Sequence, residues 1–210
     1  MSDGNKLFNP LDKKNLGESV AAALLCSDIR NMPPNSFNGA GVYAIYYTGL
    51  NPLYEQLTKI NCDNQFKCPI YVGKAVPAGA RKGGFGFDSE TGKALYARLS
   101  QHADSINAAN NLDLKDFYCR YLVVDDIWIP LAESMLISKF QPVWNCALDG
   151  FGNHDPGKGR HAGMKPPWDC VHSGRLWANR LTPNSLSIEE LENRIKKHLD
   201  IILQSNNFFK

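Results

Sequence analysis

Apolar residues recur at the spacing of a helix in four parts of the chain. The first pattern starts near Asn15 and continues through an apolar run that ends at Leu25. Pro130 and Pro142 bracket the third pattern, and the fourth opens with a serine and a glutamate at capping-box spacing. Helices are therefore predicted over about 15–25, 93–108, 131–140 and 187–203.

Three other segments are rich in β-branched and aromatic residues and predict strands. They are 41–48 (GVYAIYYT), 69–73 (PIYVG) and 117–124 (FYCRYLVV). Two glycine-rich stretches, 76–92 and 149–174, fit neither the helix nor the strand pattern. Loops of this length in a compact chain are usually functional or disordered. The pattern predicts one domain over 1–210, with insertions at about 49–67, 76–92 and 149–174.

The composition is that of an ordinary globular protein. Of 210 residues, 43% are hydrophobic and 21% are charged, which excludes a chain that is disordered, collagenous or coiled coil as a whole. Its apolar runs are far shorter than the ~20 residues that cross a bilayer. Segment 1–16 lacks the features of a secretory signal. We therefore expect a cytoplasmic protein whose six cysteines are reduced.

Positive charge is concentrated in two places, although the net charge is only +2. Segments 74–102 and 150–180 each carry five Lys or Arg against two Asp or Glu. A net charge of this size excludes a general polyanion binder. Two basic patches are compatible with a phosphate backbone that passes over one side of the protein, and equally with solvated loops.

One carboxylate interrupts an apolar helix. Glu133 lies three and four residues before Leu136 and Ile137 in the predicted helix 131–140. A carboxylate in apolar surroundings needs a cation, strong hydrogen bonds or a proton. A position on the helix surface is the alternative interpretation.

A set of polar residues and short strand motifs follows in a fixed order along the chain. It comprises Gly41-Val42-Tyr43, Tyr71-Val72-Gly73 with Lys74, Arg98 with His102 four residues later, Glu133, and Asn145. In this order the sequence resembles the GIY-YIG nuclease superfamily over about residues 37–146, with Val in place of Ile in both motifs. Many members have Tyr at the position of His102. With His at this position, the sequence resembles the branch of type II restriction endonucleases within the family.

The resemblance implies an α+β fold, in which helices flank a small antiparallel three-stranded sheet. It also implies site-specific hydrolysis of phosphodiester bonds in double-stranded DNA. Outside the shared core lie the N-terminal helix, both glycine-rich insertions and the C-terminal helix.

The resemblance implies a role for each polar residue of the motifs. Glu133 would bind one Mg²⁺, for which Mn²⁺ could substitute, because hard ions prefer oxygen ligands. The guanidinium of Arg98 would hold the scissile phosphate, since its fork matches phosphate oxygens. Asn145 would brace the site by holding Glu133 or a backbone group.

The remaining motif residues would act on water. Tyr43 would activate it, provided that Lys74 or the metal lowers the pKa of its phenol from about 10. Tyr71 and His102 would position water or phosphate, and His102 could also shuttle a proton. The alternative is that both tyrosines are ordinary sheet aromatics and His102 a surface histidine.

Repair and homing members of this family typically carry a separate DNA-binding module, and the residues after Asn145 leave little room for one. We therefore expect the insertions to recognise DNA. The candidates for contacts to bases or phosphates are Arg81, Lys82, Lys158, Arg160 and Arg175. One active site cuts one strand, so we expect a homodimer that reads a short palindrome, by resemblance a GC-rich one. A cognate DNA methyltransferase is expected in the same cell.

Three alternatives stay open at this stage. The first is a nuclease that cuts a DNA structure, such as a repair intermediate, and the second is a catalytically silent DNA-binding module. The third concerns metal: a structural zinc site could be assembled from scattered residues, although the chain has no Cys-x-x-Cys pair. Its candidate ligands are Cys62, Cys68, His161, Cys170 and His172.

Overall fold

The computed structural model describes residues 9, 11–62, 65–77, 92–160 and 162–204, except for the side chain of Lys158. Within these ranges seven α-helices surround one β-sheet. The helices are α1 (Lys13–Cys26), α2 (Glu55–Asn61), α3 (Ala94–Ala108), α4 (Ile129–Phe140), α5 (Val143–Cys146), α6 (Pro167–Val171) and α7 (Ile188–Gln204). The strands are β1 (Arg30–Asn31), β2 (Gly41–Tyr47), β3 (Tyr71–Ala75) and β4 (Phe117–Val123).

The sheet is antiparallel with strand order β1-β4-β2-β3. The predicted α+β class and antiparallel sheet are confirmed, but the predicted count of three strands is wrong. The additional strand, β1, pairs Arg30 with Cys119 and Asn31 with Tyr118. Two residues are too few to leave a period-two pattern, and they lie just before the proline-rich turn at 33–34.

Strand β2 is central and buried on both faces, which explains its continuous apolar sequence. Its odd-numbered residues face a core formed with α3, α5 and α7, and its even-numbered residues face a second core formed with α1 and α4. Gly41 begins the strand at φ +153°, and a Cβ there would lie 2.1 Å from the carbonyl oxygen of Leu122. The first motif therefore needs glycine at this position.

The segment 49–67, whose role the sequence left unassigned, belongs to the core. It forms a 3-10 turn at Pro52–Tyr54 and then α2. The buried Tyr54 hydroxyl lies 2.6 Å from Nε2 of His172 and accepts a hydrogen bond from Trp144 Nε1. Asn61 donates to the carbonyls of Tyr47 and Cys68. The segment thus links β2 to the C-terminal part of the chain.

Helix α7 covers the core with a stripe of apolar side chains. Leu191, Ile195, Leu199 and Ile202 are buried, whereas Ile188 is exposed. The predicted capping box is confirmed, because Glu190 accepts from the Ser187 backbone and donates its own N–H to the Ser187 hydroxyl. In the described part of the chain, no helix is long and apolar enough to cross a bilayer.

Candidate active site

Strands β2 and β3 bring two tyrosines to one face of the sheet. The ring centroids of Tyr43 and Tyr71 are 6.2 Å apart. Tyr43 is fully buried, and its register partner on β3 is Gly73. A Cβ at Gly73 would lie 2.4 Å from the Tyr43 hydroxyl oxygen. The glycine of the second motif therefore makes room for the phenol of the first.

The Tyr43 hydroxyl is hydrogen-bonded to a buried histidine. Its oxygen lies 2.6 Å from Nε2 of His102 on α3. Burial, reinforced by the charge of Arg98, lowers the pKa of His102 well below 6.5. The imidazole is consequently neutral at physiological pH and can accept a hydrogen bond from the Tyr43 hydroxyl.

The protein's own groups hold Tyr43 in its protonated form. Burial and the neighbouring Tyr71 raise the pKa of Tyr43 well above 10, and the charge of Arg98 offsets only part of this effect. Lys74, expected to lower this pKa, pairs with Glu133 instead. The charge of Lys74 is therefore partly balanced by this carboxylate.

Arg98 lies one helical turn before His102, as their spacing predicts, and its guanidinium is held from one side. One terminal nitrogen donates to the carbonyl of Gly152 at 2.8 Å. The other donates to Gln101 Oε1 at 3.3 Å and contacts Nε2 of His154. The guanidinium is therefore oriented by a segment that follows α5.

Glu133 lies on α4, on the other side of the sheet, and pairs with a residue of β3. Its Oε2 lies 2.7 Å from Nζ of Lys74, and its side chain is 20% exposed. Burial raises the pKa of Tyr71, Glu133 raises it further, and Arg98 lowers it. Both charges therefore act at the Tyr71 hydroxyl, so the site lies around the edge strand β3 and is built from both layers.

Glu133 is better suited to bind Mg²⁺ as a single carboxylate than to form part of a metal site made entirely of protein ligands. No group of three His, Cys, Asp or Glu side chains suited to a metal occurs in the ranges that the structure describes. Mg²⁺ is often held by one or two carboxylates, with waters and phosphate oxygens at its remaining positions. A single, partly exposed carboxylate matches that donor set.

A comparison with protein families is consistent with this geometry. The family model described as the Eco29kI GIY-YIG domain matches residues 35–199. The chain belongs to this family of GIY-YIG restriction endonucleases. No curated protein matches the sequence. The matched range extends beyond the 37–146 core and includes the segment 149–174 and most of α7.

In this GIY-YIG domain Asn145 braces the edge strand. Its Oδ1 accepts from the N–H of Val72 at 2.8 Å, and its Nδ2 donates to the carbonyl of the same residue at 2.8 Å. Of the two predicted partners, the amide therefore holds a backbone group and not Glu133. The pair of bonds fixes β3 next to Tyr71.

The start of segment 149–174 forms a wall of the site, which sequence reasoning missed. Phe151 stacks on the His102 ring at 4.5 Å and meets the Tyr71 ring edge-on at 4.9 Å. A Cβ at Gly152 would lie 2.7 Å from the Tyr71 hydroxyl. The only sequence signal for this wall was the glycine and aromatic content of the segment.

Arg175 holds this wall in place and does not lie on the surface. It is 4% exposed and pairs through two nitrogens with the buried carboxylate of Asp169, at 2.7 and 2.5 Å. It also donates to the carbonyls of Gly150, Phe151 and Asn153. The predicted contact of Arg175 with DNA is thus wrong, because its donors are committed inside the protein.

The other predicted DNA contacts are placed only in part. Arg160 is exposed, in the 3-10 turn Lys158–Arg160. Arg81 and Lys82 lie outside the described residues, as does the side chain of Lys158.

Of the zinc candidates, His161 lies outside the described residues, and His172 has both ring nitrogens engaged. Its Nε2 contacts the Tyr54 hydroxyl, and its Nδ1 lies 2.9 Å from Oδ1 of Asn111. Burial lowers the pKa of His172 to about 3. This histidine is therefore a neutral core residue.

Proposed function

We propose that the protein is a Mg²⁺-dependent type II restriction endonuclease that cuts double-stranded DNA at a short palindrome. The proposal is carried by the hydrogen-bonded pair Tyr43 and His102, together with the cation Arg98 and the carboxylate Glu133, whose charges shift the pKa of Tyr71 on β3 in opposite directions. These groups supply an activator of water, a phosphate ligand and a metal ligand. Their order in the chain and the family membership support the same conclusion.

The phosphate would bind at Arg98. A groove of about 650 Å³ begins at Tyr71 and Arg98 and runs past Asn153 to Lys165 and Leu186. A fork of charged N–H donors fixed against Gly152 would bind the scissile phosphate and spread the charge that builds up on it.

Water would be activated through a short proton path. The Tyr43 oxygen takes a proton from the attacking water while its own proton moves to Nε2 of His102. The bond from water to phosphorus forms as the bond to the leaving 3′ oxygen breaks. The path needs His102 to be neutral beforehand, and its burial provides that state.

Glu133 would hold the metal, and Lys74 would balance the charge of the carboxylate. When bound, the ion supplies positive charge to the phosphate and to the leaving oxygen. One such site cuts one strand, so a double-strand break at a fixed position most simply takes two chains related by a two-fold axis.

Incubation of the purified protein with plasmid DNA and Mg²⁺ tests the proposal. We expect discrete fragments whose sequenced ends share one palindrome, together with the mass of two chains in sedimentation. Glu133→Gln should abolish cleavage, whereas the matched control Glu189→Gln, on the exposed start of α7, should not.

Other outcomes would contradict the proposal. Bands that persist in Glu133→Gln, or in EDTA, would exclude the metal site at this residue. Preference for branched or damaged DNA would indicate a structure-specific repair nuclease. Binding without cleavage in Mg²⁺ would indicate a silent DNA-binding module.

A further inference from the structure

The guanidinium of Arg98 has two partners on the segment that follows α5. The carbonyl of Gly152 accepts from one terminal nitrogen, and the imidazole of His154 contacts the other. The carbonyl belongs to the backbone, so His154 supplies the side chain by which this segment holds the arginine. His154 itself is an exposed residue.

A histidine that accepts from an arginine must be neutral, with its proton on Nδ1. Partial burial, followed by the charges of Arg98 and Arg175, lowers the pKa of His154. Its Nε2 is therefore available as an acceptor at neutral pH. A protonated ring would instead repel the guanidinium it touches.

The segment that carries His154 is itself anchored. Arg175 bonds to the carbonyl of Asn153, the residue before His154, and to those of Gly150 and Phe151. Arg175 therefore holds the backbone on both sides of Gly152, and this backbone fixes the position of His154 next to Arg98. Gln101 of α3 contacts the same nitrogen at 3.3 Å.

We propose that His154 is a positioning residue that holds the Arg98 guanidinium in the orientation required by the scissile phosphate. This role rests on the nuclease function proposed above. A rotated guanidinium would still attract DNA by its charge, but it would no longer match the phosphate in the transition state. Loss of His154 should therefore slow the chemical step and leave DNA affinity nearly unchanged.

The pairing can be observed without any cleavage. Long-range ¹H–¹⁵N spectra of the full chain at pH 7.5 should show His154 with the proton on Nδ1 and a bare Nε2. In Arg98→Met the signal of Nε2 should change. A proton on Nε2 in the unaltered protein, or a spectrum insensitive to Arg98→Met, would overturn the inference even if the protein cuts DNA.

Kinetics then test the role. In single-turnover cleavage with Mg²⁺, His154→Ala should lower the rate constant by about 10- to 100-fold, with a Kd for DNA in Ca²⁺ within about twofold. His154→Gln, which restores an acceptor, should recover most of the rate. In an Arg98→Lys background, His154→Ala should have little further effect, because both changes act on one group.

The outcomes separate this inference from the proposed function. Multiplicative losses in the double variant, or equal losses in His154→Gln and His154→Ala, would overturn the positioning role while the nuclease stands. Normal cleavage by His154→Ala would do the same. If the unaltered protein cuts no duplex DNA although the tautomer is as expected, the nuclease function fails, and the positioning role with it.

Discussion

The burial of Arg175 leads to a large predicted effect on stability. Arg175→Met removes five donated hydrogen bonds, two to Asp169 and one to each of the carbonyls of Gly150, Phe151 and Asn153. The Asp169 side chain is only 1% exposed. The substitution therefore leaves a carboxylate inside the protein without its counter-ion.

The expected loss can be worked out from these contacts. Removal of one partner from a buried ion pair costs about 3–5 kcal/mol. Each of the three carbonyls that loses its donor adds about 1 kcal/mol, and less where water replaces the donor. Arg175→Met should thus lower the free energy of unfolding by at least about 4 kcal/mol, a large part of the stability of a typical domain.

Urea unfolding followed by tryptophan fluorescence measures this loss by linear extrapolation. The exposed Arg160 provides a matched control, and Arg160→Met should change stability by no more than about 0.5 kcal/mol. Asp169→Asn added to Arg175→Met should recover about 2 kcal/mol, because it removes the uncompensated charge. The part that is not recovered measures the bonds to the carbonyls.

A small effect would refute the reasoning. If Arg175→Met lost less than about 1 kcal/mol, or no more than Arg160→Met, the guanidinium could not be the buried anchor of segment 150–153. A surface position would then again be open to Arg175, and with it a contact to DNA.

Three further predictions concern the site and the core. Asn145→Leu should lower the free energy of unfolding in urea by about 2 kcal/mol, because the N–H and the carbonyl of Val72 lose their partner; an unchanged midpoint would contradict the brace. Tyr43→Phe should slow single-turnover cleavage by about 10²- to 10⁴-fold without weakening DNA binding in Ca²⁺, and a normal rate would exclude the proton path. Buried His172 and His102 remain neutral in the folded protein, whereas in the unfolded chain they titrate near pH 6.5, so the unfolded chain binds more protons below that pH. Acidification from pH 6.5 towards the folded pKa of about 3 for His172 should therefore cost about 1.4 kcal/mol per pH unit for this histidine, with a further loss from His102, and a flat stability profile measured in urea would contradict their burial.

Most of the secondary structure could be predicted because it is encoded locally. Helix α3 is observed at Ala94–Ala108 against a prediction of 93–108, since one face of it repeats apolar residues over its whole length. Strand β3 is observed at Tyr71–Ala75 and so lies two residues later than predicted. Strand β1 and helices α2, α5 and α6 were missed because all four are short, with two to seven residues each.

The polar residues of the site could be selected because the motifs that contain them resemble those of the GIY-YIG nucleases. The four-residue spacing of Arg98 and His102 places both on one face of α3, and the strand motifs place Tyr43 and Tyr71 on neighbouring strands. What could not be selected was the wall around Phe151 and its anchor. An arginine in a glycine-rich, basic segment has the sequence signature of a surface residue, and nothing near it predicts five internal acceptors.

The amino-acid sequence by itself determined the longer helices and strands and their order, because the periodicity of side chains acts over a few residues, and its motifs indicated the candidate site residues by their resemblance to the GIY-YIG nucleases. Tertiary structure alone decided which of those residues meet, which charges are buried and which loop completes the site. Burial depends on atoms brought together from distant parts of the chain, and it sets the protonation of Tyr43 and His102 as well as the internal position of Arg175.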